Sequence, residues 1–346
     1  MVAAEVVALI LALLLFVPLV VVLAVWQFAR TPYGMLHLRM AAVLAVLRFV
    51  PRFRFREDLR VEWHRRRIER GARLGAGRKV PLERVEDLAI EGPGGSLALR
   101  LYHPDGSGPK AIILFFHGGG MVAGSLESHD GVCRRLARHS DAVVVSVGYR
   151  LAPENTYPAA VEDAYAALLW ASRQGRLIGA DGGRIAVAGD SAGGNLAAVA
   201  AQMARDRNGP QISHQLLIYP ATNLESLDTS SYARFESGYG LSKQEVEWCR
   251  SLYLPRRETW VEPYVSPLLA RNLRDLPPAY ILAAEFDVFL EEGRAYAEKL
   301  REAGVDVTYV CWPGVIHGFI SMGRFVPQAR RALTEAACAA RAALAS

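Results

Sequence analysis

The segment GDSAGGN at residues 189–195 places a serine between small residues, where a strand-like run, RIAVA, passes into a helix-like run, LAAVAAQMA. Gly189, Ser191 and Gly193 satisfy the pattern GxSxG. A tight strand-to-helix turn forces such a serine into a strained conformation that exposes its hydroxyl, and the helix start directs N–H groups toward an oxyanion formed there. These flanks favour Ser191 as a nucleophile over an ordinary glycine-rich turn.

A serine hydroxyl needs a neighbouring base, which in turn needs a carboxylate to orient it. Among the eight histidines, His317 in PGVIHGF follows the last predicted strand and precedes the C-terminal helix. This position puts it at the sheet edge, within reach of a nucleophile. His129 and His139 fall at the ends of a predicted helix, and we expect both at the surface; His64 lies in an arginine-rich run.

Asp287 is the favoured carboxylate, because it ends the predicted strand AYILAAEFD between Ser191 and His317 in chain order. The order Ser, Asp, His, with the acid at a strand's carboxyl end, is typical of one sheet type that supports this chemistry. Three glutamates are rivals. Glu285 would share the strand face one pleat further back, and Glu291 and Glu292 open a helix, where acids commonly interact with the helix dipole.

The run HGGG, His117–Gly120, follows the predicted strand AIILFFH. Glycines there allow backbone amides to turn toward an ester carbonyl, and the N–H of Ala192 would complete an oxyanion hole. We expect Gly119 and Gly120 to donate, with Gly118 shaping the turn. Taken alone, the run could equally be a flexible loop; the second glycine-rich turn and the placed Asp and His favour the catalytic interpretation.

Positioning these residues requires strands that alternate with helices, and from residue 80 onward the sequence has that pattern. It predicts an α/β fold with a mostly parallel central sheet and helices on both faces. The predicted strands are DLAIEG, SLALRLYHP, AIILFFH, AVVVSVGY, RIAVAG, QLLIYP, AYILAAEFD and VTYVCW. The predicted helices are Ser128–His139, Ala159–Arg173, Ala192–Asp206, Glu291–Ala303 and Pro327–Leu344.

Residues 222–262 interrupt the alternation with a polar and aromatic sequence that contains the helix-like LSKQEVEWCRSLY. Insertions after a strand's carboxyl end build binding sites in such sheets, so we expect one half of a cap here and the other half within residues 30–80. The predicted organisation is a membrane anchor at 1–30, a basic juxtamembrane and cap segment at 31–80, and a catalytic domain at 81–346.

With HGGG, GDSAGGN, EFDVFLEE and IHGF in this order, the chain resembles the hormone-sensitive-lipase family of α/β-hydrolase esterases. YRLAPENTYPAAVEDA, SPLLA and LPPAYILAAEFD extend the resemblance over residues 80–340. It implies Ser191 as nucleophile, His317 as base, Asp287 as its orienting acid, and an oxyanion hole from Gly118 to Gly120 with Ala192. It further implies a cap, lipophilic ester substrates with short to medium acyl chains, and neither metal nor organic cofactor.

Two features depart from that family. The acid's motif commonly continues as DPLRDE, whereas DVFLEE keeps Asp287 and lacks the proline and arginine. The apolar N-terminus is absent from most bacterial members. The chain is also similar to vertebrate arylacetamide deacetylases, which are membrane-anchored and face the lumen.

Two other functions use the same scaffold. An acyltransferase would form the same acyl-enzyme but exclude water, and the sequence does not separate it from a hydrolase. A ligand receptor on this scaffold lacks the base, so the presence of both Ser191 and His317 argues against it.

The N-terminal segment Val6–Trp26 spans 21 residues interrupted only by Pro18, a length that crosses a bilayer as a helix. No Lys or Arg precedes it and no clear cleavage site follows, so an anchor is favoured over a cleaved signal peptide. Arginines cluster downstream, which by the positive-inside rule predicts a cytoplasmic catalytic domain. Residues 33–50 have two interpretations: a helix in the headgroup layer beside anionic lipid, or a helix that covers the body as part of a lid.

Charge and cysteine content narrow the partners. Residues 1–80 carry 14 Arg or Lys against 5 Asp or Glu, a net charge of +9, so the remainder must be −4 to give the total of +5. The basic character belongs to the N-terminal fifth, and we expect no nucleic-acid partner. The cysteines show no CxxC pair and no histidine at metal-ligand spacing, which predicts neither a zinc site nor a disulfide framework.

Overall fold

The computed structural model describes residues 19–49 and 61–345. The strands of its central sheet are β3 (Arg84–Gly92), β4 (Gly95–His103), β5 (Lys110–Phe116), β6 (Val143–Gly148), β7 (Ala180–Asp190), β8 (His214–Ile218), β9 (Ala279–Phe286) and β10 (Val307–Ile316). A small hairpin, β1 (Arg30–Thr31) and β2 (Gly34–Met35), lies outside the sheet.

The α-helices are α1 (residues 19–29), α2 (Leu38–Phe49), α3 (Val61–Gly75), α4 (Asp130–Ser140), α5 (Ala159–Gln174), α6 (Ala192–Asp206), α7 (Ser230–Phe235), α8 (Lys243–Tyr253), α9 (Leu290–Glu302) and α10 (Pro327–Ala345). Short 3₁₀ segments lie at Gly175–Ile178, Arg257–Val261, Pro267–Leu269 and Phe319–Met322.

The sheet has the strand order β10-β9-β8-β7-β5-β6-β4-β3. Strands β5 to β10 run parallel, whereas β4 is antiparallel to both β6 and β3. Strands covered on both faces read as continuous apolar runs, and β5 and β8 are buried along almost their whole length. Helices α4 and α10 pack together, as do α5 and α6. The predicted mostly parallel sheet with helices on both faces is confirmed.

The predicted membrane span Val6–Trp26 lies mostly outside the described residues, and its last part, residues 19–26, belongs to α1. Within the described ranges, no helix combines the length and apolar character needed to cross a membrane.

Helix α2 lies against the body of the protein. The N–H of His37 donates to the carbonyl of Gly314 at 2.9 Å, which joins the start of α2 to the last strand. Met40, Ala41 and Leu44 on one side of α2 are buried in the core. One face of this apolar helix therefore packs against the core, and its other side chains are not part of that contact.

Candidate active site

Ser191 occupies the turn between β7 and α6 with φ 57° and ψ −121°, and this positive φ is strained for a residue with a side chain. Its N–H donates to the carbonyl of Ile218 at 2.9 Å, which ties the turn to the neighbouring strand β8. A Cβ on Gly193 would overlap the carbonyl of Phe116, and one on Gly189 would overlap the carbonyl of Gly193. The small residues of GDSAGGN thus permit the close approach of strand and helix.

His317 follows β10 and meets Ser191 at the carboxyl edge of the sheet. Its Nε2 lies 2.9 Å from Ser191 Oγ, and its Nδ1 lies 2.7 Å from Asp287 Oδ2. Asp287, which follows β9, is 1% exposed, so its carboxylate is held out of water. The structure therefore brings the three residues singled out in the sequence into one hydrogen-bonded chain.

The residues that follow Asp287 hold this chain in place. The N–H of Phe289 donates to Asp287 Oδ1 at 3.0 Å, so the second carboxylate oxygen is also bound. The ring of Phe289 meets the His317 ring edge-on at 5.1 Å, and the ring of Tyr219 packs against it at 4.5 Å. DVFLEE thus supplies a backbone donor and an aromatic wall without the proline and arginine of DPLRDE.

The rival carboxylates have other partners. Glu285 accepts the N–H of Gly314 at 2.7 Å. Glu291 pairs with Arg234 at 2.8 Å, while Glu292 accepts the N–H of Thr222 at 2.6 Å. Burial raises the pKa of Glu292 well above its usual value. Each glutamate secures a loop or helix instead of contacting His317.

The HGGG loop ends β5 beside the serine turn. The N–H of Gly118 donates to Asp190 Oδ1 at 2.8 Å, so this amide is engaged by the residue that precedes the serine. Gly119 and Gly120 have φ values of 129° and 66°, conformations that favour glycine. The N–H of Val122 donates back to the carbonyl of Gly119 at 3.1 Å and closes the turn.

His129 is 5% exposed, and the expectation of a surface position is wrong. Its Nε2 lies 3.1 Å from Asp190 Oδ1, beneath the HGGG loop. Burial alone would raise the pKa of Asp190, but the charge and hydrogen bond of His129, with the Gly118 amide, hold that pKa below its ordinary value. No local sequence pattern indicates this contact, because His129 and Asp190 lie far apart in the chain and meet only through the fold.

A cavity of about 820 Å³ opens above Ser191 and His317. Three helices contribute wall residues at the three-and-four spacing that one helix face presents. From α2 these are Arg39, Ala42, Val43, Val46 and Leu47; from α3, His64, Arg67, Ile68, Gly71, Ala72, Leu74 and Gly75; from α8, Glu245, Val246, Cys249, Arg250 and Tyr253. We call this surface the cap wall. It draws on both segments that the sequence suggested for a cap.

The cap wall is fastened to the HGGG loop by side chains of α3. Arg65 Nε donates to the carbonyl of Val122 at 2.8 Å, and its Nη2 donates to the carbonyl of Ala152 at 3.0 Å. The hydroxyl of Ser125, at the end of the same loop, donates a hydrogen bond to the carboxylate of Glu69. No local pattern in the sequence indicates these links, because they join residues far apart in the chain.

Arg67 and Glu245 form an ion pair within the cap wall, and His64 lies beside them. Burial, together with Arg67 and Arg65, lowers the pKa of His64 to about 3. This histidine therefore remains neutral next to the ion pair. Over the described residues, no cluster of three or more His, Cys, Asp or Glu side chains has the arrangement to hold a metal ion.

Comparison with known proteins gives a consistent result. A family model described as alpha/beta hydrolase fold matches residues 113–321. The chain is 44% identical to Esterase LipI of Mycobacterium tuberculosis over 306 residues, covering 87% of this chain and 94% of that protein. It is 39% identical to an ethyl acetate hydrolase of Pseudomonas putida over 78% of this chain and 86% of that one.

Solved structures agree with these sequence relatives. An esterase from Pyrobaculum calidifontis superposes with a TM-score of 0.82 at 41% identity, over 87% of this chain and 97% of that one. The esterase EstE1 from a metagenomic library superposes with a TM-score of 0.81 at 42% identity, over 84% and 99% of the two chains.

Proposed function

Since the chain belongs to the α/β-hydrolase family and is a carboxylic ester hydrolase of the hormone-sensitive-lipase type, we propose that Ser191, His317 and Asp287 carry out its reaction. The observation that carries the proposal is the hydrogen-bonded chain from Asp287 Oδ2 through the His317 ring to Ser191 Oγ. It lies at the floor of an apolar cavity, where an ester carbonyl can reach the serine.

In the first half of the reaction, Ser191 Oγ attacks the ester carbonyl carbon as His317 Nε2 takes the hydroxyl proton. Asp287 stabilises the imidazolium so formed and fixes the ring orientation through Nδ1. The carbonyl π electrons move onto oxygen, giving a tetrahedral oxyanion. Its collapse breaks the bond to the alcohol oxygen, which leaves with the proton from His317 and an acyl-serine remains.

The oxyanion is stabilised by the amides of Gly119, Gly120 and Ala192. Support comes from two features: the glycine φ values that turn the HGGG loop, and the position of Ala192 as the first residue of α6. N–H groups at a helix start favour negative charge. Gly118 has a different part, because its amide already donates to Asp190 and sets the position of the loop.

In the second half, water takes the place of the alcohol. His317 removes a proton from this water as it attacks the acyl carbon, and then protonates Ser191 when the acid departs. The mainly apolar wall favours lipophilic esters with short to medium acyl chains. The tether through Val6–Trp26, with the catalytic domain on the cytoplasmic side, stays a prediction.

Hydrolysis of p-nitrophenyl butyrate by the full chain and by Ser191→Ala tests the assignment. Loss of the nucleophile of a Ser-His-Asp site lowers kcat by about 10⁶-fold, so only a small residual rate should remain in Ser191→Ala. Ser251→Ala removes an exposed hydroxyl of α8 whose partner is the carbonyl of Trp248, and it should retain the parent rate. Equal rates for Ser191→Ala and Ser251→Ala would refute the role of Ser191.

A further inference from the structure

The edge of the cavity has a composition unlike its interior. Among the cavity-lining residues, the exposed ones are Arg39 and Val46 of α2, Leu74 of α3, Gly240, and Arg324 and Phe325 of the segment before α10. We call these six residues the rim. It contains three apolar side chains, two arginines and no acid.

The apolar members of the rim extend well into solvent. Val46 is 62% exposed, Leu74 51% and Phe325 42%. All three side chains line the same cavity opening, and exposed apolar side chains grouped beside polar ones mark interaction sites. They also surround the opening that a lipophilic ester must cross to reach Ser191.

Two segments of the rim are joined directly. The N–H of Arg324 donates to the carbonyl of Gly75 at 2.7 Å, so the segment that carries Phe325 is joined to the end of α3. The guanidinium of Arg324 lies 5.6 Å from the centre of the Phe325 ring. A positive charge and an exposed apolar ring are therefore next to each other on this segment.

We propose that the rim docks on an anionic lipid bilayer, with Val46, Leu74 and Phe325 in the upper acyl region and Arg39 and Arg324 among the headgroups. A protein partner of this site would need acidic groups at defined positions, whereas anionic headgroups adjust to arginines wherever they lie. The same N-terminal part of the chain exposes further apolar side chains on α1, including Leu19, Val22 and Leu23. In the docked state the cavity opens directly onto the membrane.

Depth-dependent quenching on the full chain tests the docking without any use of catalysis, so its failure is separate from failure of the proposed reaction. In a Cys338→Ala background, which removes the exposed native thiol, single Val46→Cys, Leu74→Cys and Phe325→Cys variants carry an environment-sensitive dye. The protein is reconstituted with phosphatidylglycerol vesicles that contain a lipid quencher at a shallow acyl position. Sedimentation with the vesicles is measured on the same samples.

Leu177→Cys is the matched control. Leu177 is 79% exposed and precedes β7, at the amino edge of the sheet, whereas the rim lies at the carboxyl edge. The docking predicts strong quenching at all three rim positions and none at Leu177. Vesicle-bound protein with unquenched rim labels, equal quenching at Leu177, or no sedimentation at all would each overturn the proposal.

A second set of variants tests whether the two rim arginines are needed for binding to anionic lipid. Arg39→Gln and Arg324→Gln should each lower the ratio of quenched to unquenched rim label about five-fold on anionic vesicles, since one arginine near such a surface contributes that factor. Arg173→Gln, near Leu177, should leave the ratio unchanged. Equal quenching on neutral phosphatidylcholine would contradict the anionic partner, and a dye response to protein concentration without vesicles would indicate that a second copy covers the rim instead.

Discussion

The floor of the cavity and the cap wall are built by different means. On the floor, Ser191, Asp287 and His317 each come directly after a strand, so the register of the parallel sheet sets their separation. The cap wall consists of helices α2, α3 and α8, which meet the floor through side chains such as Arg65. Strand pairing fixes the first region, whereas helix packing and individual long-range contacts fix the second.

Because the two regions are built differently, substitutions in them should affect different steps of the reaction. Strand-end positions resist change, because moving one requires a shift of the sheet, and proton transfer needs such constancy. A helix held by a few side-chain contacts can change with one substitution. We therefore expect floor substitutions to affect the chemical step most, and cap-wall substitutions to affect which esters bind and how well the HGGG loop is held.

The largest effect after loss of the serine is expected on the floor. Asp287→Asn keeps the shape of the side chain but loses the charge that stabilises the imidazolium, so kcat for p-nitrophenyl butyrate should fall about 10⁴-fold. Glu285→Gln is the control, since Glu285 bonds to Gly314 and does not touch His317. A similar loss in both variants would show that the assignment of the acid is wrong.

The next effect tests whether the cap wall reaches the chemistry. Arg65→Ala removes the donors to Val122 and Ala152, and a shift of the HGGG loop of about 1 Å would lower kcat by about 10²-fold while KM changes less. Arg66→Ala, exposed on the same helix, should match the parent enzyme. If kcat is retained in Arg65→Ala and only the melting temperature falls, the link is structural and does not position the loop.

The same division explains what the sequence could predict. The strands, and the grouping of Ser191, Asp287 and His317, could be predicted from the sequence. Each of these residues adjoins a strong local pattern, and parallel strands bring their carboxyl ends together. The contact of Arg65 with Val122 could not be predicted, since it spans 57 positions and depends on the path of the cap. His129 was misplaced for a related reason: a helix end is commonly exposed, but this one lies under the HGGG loop beside Asp190.

A smaller effect is expected where the cap wall alone meets the substrate. Leu47→Trp adds bulk to the face of α2 that lines the cavity, so kcat/KM for a decanoate ester should fall about ten-fold relative to butyrate. Leu38→Trp places the same bulk at an exposed position of α2 outside the cavity lining, and its chain-length profile should equal that of the parent. Parallel losses for both esters in Leu47→Trp would indicate a general distortion in place of a filled pocket.

The smallest effect concerns stability, and it asks whether the two regions unfold together. His214 in the sheet and His64 in the cap wall are both buried, and burial lowers their pKa values from 6.5 to about 4 and about 3, respectively. Below pH 6.5 the unfolded chain takes up a proton at each site that the folded chain refuses. The free energy of unfolding should therefore fall with pH, by up to about 1.4 kcal/mol per pH unit for each histidine, until the folded pKa is reached. If floor and cap wall form one cooperative unit, the free energy of unfolding should depend less steeply on pH in both His214→Gln and His64→Gln. This dependence is measured by denaturant unfolding at several pH values between 7 and 5. Gln215→Met, at a buried and non-titrating neighbour on β8, should change the free energy of unfolding but not its dependence on pH. A slope altered by His214→Gln alone would mean that the cap wall opens before the sheet unfolds, and the fastening of α3 to the HGGG loop would then be weaker than the floor that it covers.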